Sequence, residues 1–165
     1  MLPSTSKYEY VANDPQKCTG CQLCEYVCSY TKNNAFNSLR SRIRTVRVDE
    51  ILITSLSCRT CENAPCVIAC PRDALTQDPE TGIIRVDDSR CDGCAWCIEA
   101  CDFGAISINP STKLAEICDL CENEEDGPQC VKWCPKEALE LTTPDKRGQK
   151  KRRKLAVQEV IGAGS

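Results

Sequence analysis

Histidine is absent from this 165-residue chain, methionine occurs once, and aromatic residues make up 5% of it. Without histidine there is no Ser-His-Asp triad, no His-Cys nucleophile pair, no histidine zinc site and no histidine-ligated haem. No apolar run approaches the roughly 18 residues that a membrane-spanning helix requires. The opening stretch, MLPSTSKYEYVAND, has no basic segment followed by an apolar one and no twin arginine. The expectation is therefore a soluble cytoplasmic protein. So few large apolar side chains bury only a thin core, and something besides apolar burial must hold the fold.

What the chain does hold is cysteine, 16 residues of it. A reducing compartment disfavours pairing them as disulfides. Net charge is −3, and seven Lys/Arg against one Glu in residues 146–165 leave an acidic body, which argues against nucleic acid as the main partner.

The cysteines form four groups of four, and none is left over. Cys18, Cys21, Cys24 and Cys28 are spaced C-x2-C-x2-C-x3-C, and Cys91, Cys94, Cys97 and Cys101 repeat that spacing. Cys58, Cys61, Cys66 and Cys70 read C-x2-C-x4-C-x3-C; Cys118, Cys121, Cys130 and Cys134 read C-x2-C-x8-C-x3-C. The first and last steps are constant and only the middle gap varies, as a loop between fixed ends would. Pro71 and Pro135 end two groups in Cys-Pro. This is the bacterial ferredoxin signature, in which three thiolates wrap one [4Fe–4S] cube and the fourth cysteine ligates another. A zinc ribbon has no use for a third and fourth cysteine in each group, and inert cysteines do not repeat a spacing four times.

Between the groups, period-2 alternation predicts hairpins. The first combines Arg42–Val48 with Ile51–Leu56 across Asp49-Glu50; Thr81-Gly82 precedes a strand over Ile83–Val86; Ala105–Ile108 and Leu114–Ile117 flank Asn109-Pro110. Tyr8, Tyr10 and Val11 suggest a short strand, and helices are expected around Glu25–Lys32, Pro65–Ala69, Ala95–Ala100 and Val131–Trp133. Cys70-Pro-Arg-Asp-Ala-Leu75 and Cys134-Pro-Lys-Glu-Ala-Leu139 match closely, and Cys101-Asp-Phe-Gly-Ala-Ile106 is a third copy with Asp102 in place of proline. Cys28-Ser-Tyr-Thr31 has lost the echo. The repeats imply duplicated half-ferredoxins. Gly20 and Gly93 either ease a turn or let backbone approach sulfur. Trp96 and Trp133 are expected to pack as water shields, and Arg42, Arg44 and Arg47 to lie on a solvated strand face. The basic run Lys146–Lys154 with the apolar Leu155, Val157, Val160 and Ile161 reads either as a solvated, disordered tail or as a docking segment.

Connector lengths leave the pairing of groups open: two with three, or three with four. The four groups, the Cys-Pro endings and the Phe36…Leu39-Arg-Ser-Arg-Ile43 segment resemble four-cluster, ferredoxin-like electron-transfer subunits of multisubunit oxidoreductases. That family includes iron–sulfur subunits of dimethyl sulfoxide reductase, formate dehydrogenase and hydrogenase complexes. It also includes polyferredoxin partners of tungsten-pterin aldehyde oxidoreductases and of related benzoyl-CoA reductases. The resemblance spans about residues 5–143.

It implies an α+β fold of two bacterial-ferredoxin-like modules, each binding two clusters, with short helices and β-hairpins. Residues 1–57 and 110–143 would form an outer module, 58–109 an inner one, and 144–165 a basic tail. The family's nested sharing implies four [4Fe–4S] clusters, held respectively by Cys18, Cys21, Cys24 and Cys134; by Cys118, Cys121, Cys130 and Cys28; by Cys58, Cys61, Cys66 and Cys101; and by Cys91, Cys94, Cys97 and Cys70. It implies no catalytic site, and a role as the wire to a tungsten- or molybdenum-pterin catalytic subunit. A flavin/NAD subunit, or further copies of the chain joined through the tail, are further partners it allows. A basic tail in place of a membrane anchor favours the soluble aldehyde oxidoreductase branch. A free polyferredoxin carrier, or the iron–sulfur subunit of a benzoyl-CoA reductase, formate dehydrogenase or hydrogenase, is the alternative.

Overall fold

The computed structural model describes residues 7–49 and 52–162, with side chains as far as Glu159. Its elements are short and mixed: β1 (Tyr10–Asn13), α1 (Leu23–Asn33), a 3-10 turn (Ser38–Arg40), β2 (Arg44–Val48), β3 (Leu52–Leu56), α2 (Pro65–Ile68), β4 (Leu75–Gln77), β5 (Ile84–Val86), α3 (Trp96–Glu99), β6 (Ser107–Ile108), β7 (Ala115–Glu116), α4 (Gln129–Lys132), β8 (Leu139–Thr142) and α5 (Pro144–Gly162). This is an α+β fold.

One rule generates the strand pairing. Each strand after a cysteine group pairs antiparallel with the strand before the next group, giving β2–β3, β4–β5 and β6–β7, and the series closes on itself as β8–β1. The expected hairpins therefore form, shortened at their ends, although Glu50 and Ile51 lie outside the described residues. The turns follow from side-chain chemistry. Asp78 Oδ1 accepts the N–H groups of Glu80 and Thr81, and Asn109 Oδ1 those of Ser111 and Thr112, both Asx turns.

The β8–β1 closure repeats the local geometry of β4–β5. The Asp14 N–H donates to Ala138 O at 2.7 Å, and the Asp87 N–H to Ala74 O at 2.8 Å. In both places the aspartate carbonyl then accepts from the N–H four residues on, Cys18 and Cys91 respectively. The strand behind Cys134 thus stands to the first group as the strand behind Cys70 stands to the third.

The core is thin, as composition requires. Among the described residues the largest fully buried side chains are Ile43, Thr60, Ser29 and Ser41, and cysteines fill much of the remaining interior. One cluster gathers Cys58, Cys66, Leu75, Ile84, Ile106 and Ile117; a smaller one gathers Val11, Cys28, Ile43, Cys130 and Leu139, and Leu120 packs against both.

Three expectations are corrected. Trp96 and Trp133 are 64% and 57% exposed and so do not pack in the core. The hairpin arginines are hydrogen-bonded within the fold, Arg42 and Arg44 half-buried and Arg47 still exposed as expected. Arg42 Nη1 bonds Asp119 Oδ2 at 2.8 Å, Arg44 donates to the carbonyls of Ser38 and Leu39, and Arg47 Nη2 donates to Gly20 O at 2.8 Å. The tail is a helix. Thr143 Oγ1 accepts the Lys146 N–H, Pro144 stands at the first helical position and Asp145 lies in the first turn, a start signal that outweighs the charge repulsion behind it. Arg147 Nη2 ties its first turns to Asn13 O at 2.6 Å, and Lys146 and Lys150 pair with Glu9 and Glu140.

Candidate metal centres

The last two cysteines of each group ride on or beside a short helix, which sets their separation. Cys24 and Cys28 lie on α1; Cys66, Cys97 and Cys130 lie on α2, α3 and α4, with Cys70, Cys101 and Cys134 just past the helix ends. Helix α1 packs on α4, and α2 on α3. Each such pair of helices delivers its cysteines to two places at once.

Three of those places are cavities. One is lined by Cys18, Cys21, Cys24 and Cys134, a second by Cys58, Cys61, Cys66 and Cys101, a third by Cys70, Cys91, Cys94 and Cys97. At the fourth, Cys28, Cys118, Cys121 and Cys130 are all buried, and Cys28 and Cys130 lie within electrostatic reach of Cys118. None of the sixteen cysteines is paired in a disulfide. Among the described residues no group of three or more Cys, Asp or Glu is arranged to hold one metal ion.

Electrostatics show what such a quartet lacks. Burial pushes the Cys58 thiol up to about 11, with the Thr60 N–H opposing and the charges of Cys61 and Cys101 adding. Cys66 rises to about 12, through burial and then Cys58 and Cys101. Cys118 is driven well above the ordinary thiol value by burial and by Cys130, and Cys130 rises by burial and then Cys28, Cys121 and Cys24. Four buried thiols cannot all ionise side by side unless a positive centre balances them, which is what iron supplies. The backbone is already arranged for bound thiolates. N–H groups of Arg42, Ala74 and Ala138 donate to the sulfurs of Cys28, Cys70 and Cys134 at 3.3 Å, and that of Thr60 to Cys58 at 3.4 Å. The donor set fits an iron–sulfur cluster.

Gly20 and Gly93 adopt φ +66° and +68°. A Cβ on Gly93 would stand 2.1 Å from Lys113 O, and one on Gly20 2.8 Å from Arg47 Nη2 and Ile53 Cγ2. These loops approach a neighbouring hairpin on one side, and both glycines also line the cavities of their cysteine quartets.

Members of different quartets also lie near one another. Cys130 lies within electrostatic reach of Cys24, and Cys118 within reach of Cys58. The exposed cysteines are Cys21 and Cys94, one in the Cys18 quartet and one in the Cys70 quartet.

Residues 49–143 match the 4Fe-4S dicluster domain. The chain belongs to that family. This 4Fe-4S dicluster protein is 40% identical over 146 residues to YsaA of Escherichia coli (strain K12), covering 83% of the chain and 91% of the relative. It is 36% identical over 148 residues to the thiosulfate reductase electron transfer subunit PhsB of Salmonella typhi, covering 83% and 76%. It is 34% identical over 172 residues to the electron transport protein HydN of Escherichia coli (strain K12), covering 90% and 97%. Among solved structures, the active site complex BamBC of benzoyl coenzyme A reductase with benzoyl-CoA superposes with a TM-score of 0.50 at 24% identity over 94% of each chain, a likeness of fold. The protein is thus a ferredoxin-like, [4Fe–4S] electron-transport protein. No described helix is long and apolar enough to cross a membrane. Sequence reasoning did not find the N–H donors to sulfur or the anchoring of α5; Thr143-Pro144-Asp145 was the available signal for the latter.

Proposed function

We propose that the chain is the electron-transfer wire of a cytoplasmic oxidoreductase, holding four [4Fe–4S] clusters in the nested ligand sets and two modules that its family resemblance implies. The observation that carries this reading is that in three of the four groups the first three cysteines meet the last cysteine of a different group around one space, while Cys118, Cys121 and Cys130 of the remaining group are buried with Cys28. Clusters held by these cysteines would supply one-electron transfer. The chain's part is to fix their spacing, exclude water and set their potentials through burial and N–H···S bonds.

The contacts of Cys24 with Cys130 and of Cys118 with Cys58, together with the packing of α2 on α3, support a linear order from the Cys18 quartet through the Cys28 and Cys58 quartets to the Cys70 quartet. An exposed cysteine at each end suits electron entry and exit. The partner we infer is a tungsten- or molybdenum-pterin catalytic subunit such as an aldehyde oxidoreductase, with a flavin/NAD subunit as the other terminus. The relative PhsB, named as the electron transfer subunit of a reductase, supports a catalytic partner. Further copies of the chain, docked through α5, would lengthen the wire.

The test is chemical. The purified protein should carry about 16 iron per chain. Cys134→Ser should alter the spectrum or iron content of the cluster that Cys18→Ser also alters, more than a hundred residues away in sequence. A Cys134→Ser effect confined to the cluster of Cys118, Cys121 and Cys130 would overturn the ligand sets. Affinity purification from the native host should recover a pterin-containing partner; recovery of the chain alone would favour a free polyferredoxin carrier.

A further inference from the structure

Hairpin β2–β3 lies over the Cys18 quartet and presents two hydroxyls to it. Thr45 and Ser55 are cross-strand partners, and both line the cavity. Thr45 Oγ1 is 3.6 Å from Cys24 Sγ; Ser55 Oγ is 3.7 Å from Cys24 Sγ and 3.9 Å from Cys18 Sγ. The two hydroxyls are 3.3 Å apart. A metal-bound thiolate has no proton, so at these contacts sulfur accepts and the hydroxyl donates. Two protons are available: Thr45 directs one at Cys24, and Ser55 the other at Cys24 or Cys18.

The hydroxyls are held in place from three sides. The Thr45 N–H donates to Oε1 of the buried Glu25 at 2.5 Å. The Arg47 guanidinium on the same strand bonds Gly20 O in the C-x2-C loop. The space a Gly20 Cβ would need is already taken by Arg47 and Ile53, so the hairpin sits directly on that loop. Cys28 and Cys70, in two of the other quartets, receive backbone N–H donors from Arg42 and Ala74.

We propose that Thr45 and Ser55 are potential-setting residues, whose hydroxyls donate to the sulfurs of Cys24 and Cys18 and hold the centre of that quartet at a higher reduction potential than it has without them. The proposal rests on the reading that Cys18, Cys21, Cys24 and Cys134 hold one cluster. Reduction adds negative charge that is shared by the ligand sulfurs. A donor aimed at those sulfurs stabilises the reduced form more than the oxidised one, and burial enlarges the difference. Glu25, beside Cys24, opposes with its negative charge, but it stands in parent and variants alike and cancels from the comparison. An electron is thereby held at this quartet more firmly than it is without the two hydroxyls.

The experiment is a potentiometric titration, followed by electron paramagnetic resonance, of the full-length protein carrying Thr45→Val, Ser55→Ala or both, after iron and sulfide have been counted. One midpoint should fall while the others hold, and the double variant should fall furthest. At the parent midpoint of that cluster, the reduced-to-oxidised ratio should drop about tenfold in the double variant, which is 59 mV for one electron. Thr45→Ser and Ser55→Thr keep a hydroxyl and should restore the parent value. Unchanged midpoints in a fully loaded double variant overturn the proposal and leave the ligand sets standing. If a midpoint falls but is not that of the cluster altered by Cys134→Ser, the ligand sets fail instead. Should Ser55→Ala lose iron, the isosteric Thr45→Val decides alone.

Discussion

Three residues past a final cysteine, the chain turns left-handed. Asp73, Gly104 and Glu137 take φ of 47°, 58° and 47°, in the second, third and fourth groups. The turn brings the next N–H back onto sulfur, from Ala74 to Cys70 and from Ala138 to Cys134. The third copy pays for its lost proline with a glycine at the strained position. The first group has no such turn because α1 runs on to Asn33, and the Arg42 N–H from the distant connector takes over at Cys28. Arg42 also closes a charge cluster: its side chain and Lys32 both reach Asp119 at 2.8 Å. Burial alone would raise the Asp119 carboxyl, but the Lys32 bond and the Arg42 charge outweigh it and hold it below its ordinary value. Asp119→Ala strands two half-buried cations, and chemical denaturation should show a loss of about 2 kcal/mol. The cysteines that line the shared spaces were legible in the sequence, since their spacing sets them apart in four groups. The arginines were not: alternation says which way a strand side chain points, and leaves open what meets it there. The tryptophans misled for a related reason, because hydrophobicity gives a preference for burial and this thin core has no room to honour it.

At the scale of elements, the hairpins were readable because alternation and Asx turns are local signals. The pairing of β8 with β1 was not. Leu139–Thr142 is four residues long and its partner lies more than a hundred residues away, so no local pattern announces it. Helix α5 was hidden by its charge. Its first turns are anchored by Arg147, Lys146 and Lys150, while Lys151, Arg152, Arg153, Leu155 and Val157 are exposed. The side chains of Val160 and Ile161 lie outside those described. A surface helix that buries so little of itself is stabilised mainly by what it meets. Removing the chain from Pro144 onward should leave the iron count unchanged and weaken assembly, most visibly at moderate salt, since contacts through rim charges are screened. Size-exclusion with light scattering reads the outcome: the truncated protein should show a lower assembly mass, and an unchanged mass would assign α5 no docking role.

Across the whole molecule, spacing identified four cysteine groups but left two pairings open, and only the resemblance to a family selected between them. Pairing of distant groups is a matter of topology, which cysteine spacing does not encode. The closure of β8 on β1 carries a consequence for how the protein is made. A ribosome delivers Tyr10–Asn13 near the beginning and Leu139–Thr142 near the end, so the earliest strand waits through almost the whole of translation for its mate. In the proposed ligand sets, Cys18, Cys21 and Cys24 wait with it for Cys134, whereas Cys58 and Cys101 emerge within a span of 44 residues. Maturation should therefore run from the middle outwards. Nascent chains stalled with residue 117 outside the exit tunnel should acquire iron on the second and third groups while the first three cysteines stay open to alkylation. Equal protection of Cys18 and Cys58 on such chains would show that the order of birth does not govern the order of filling.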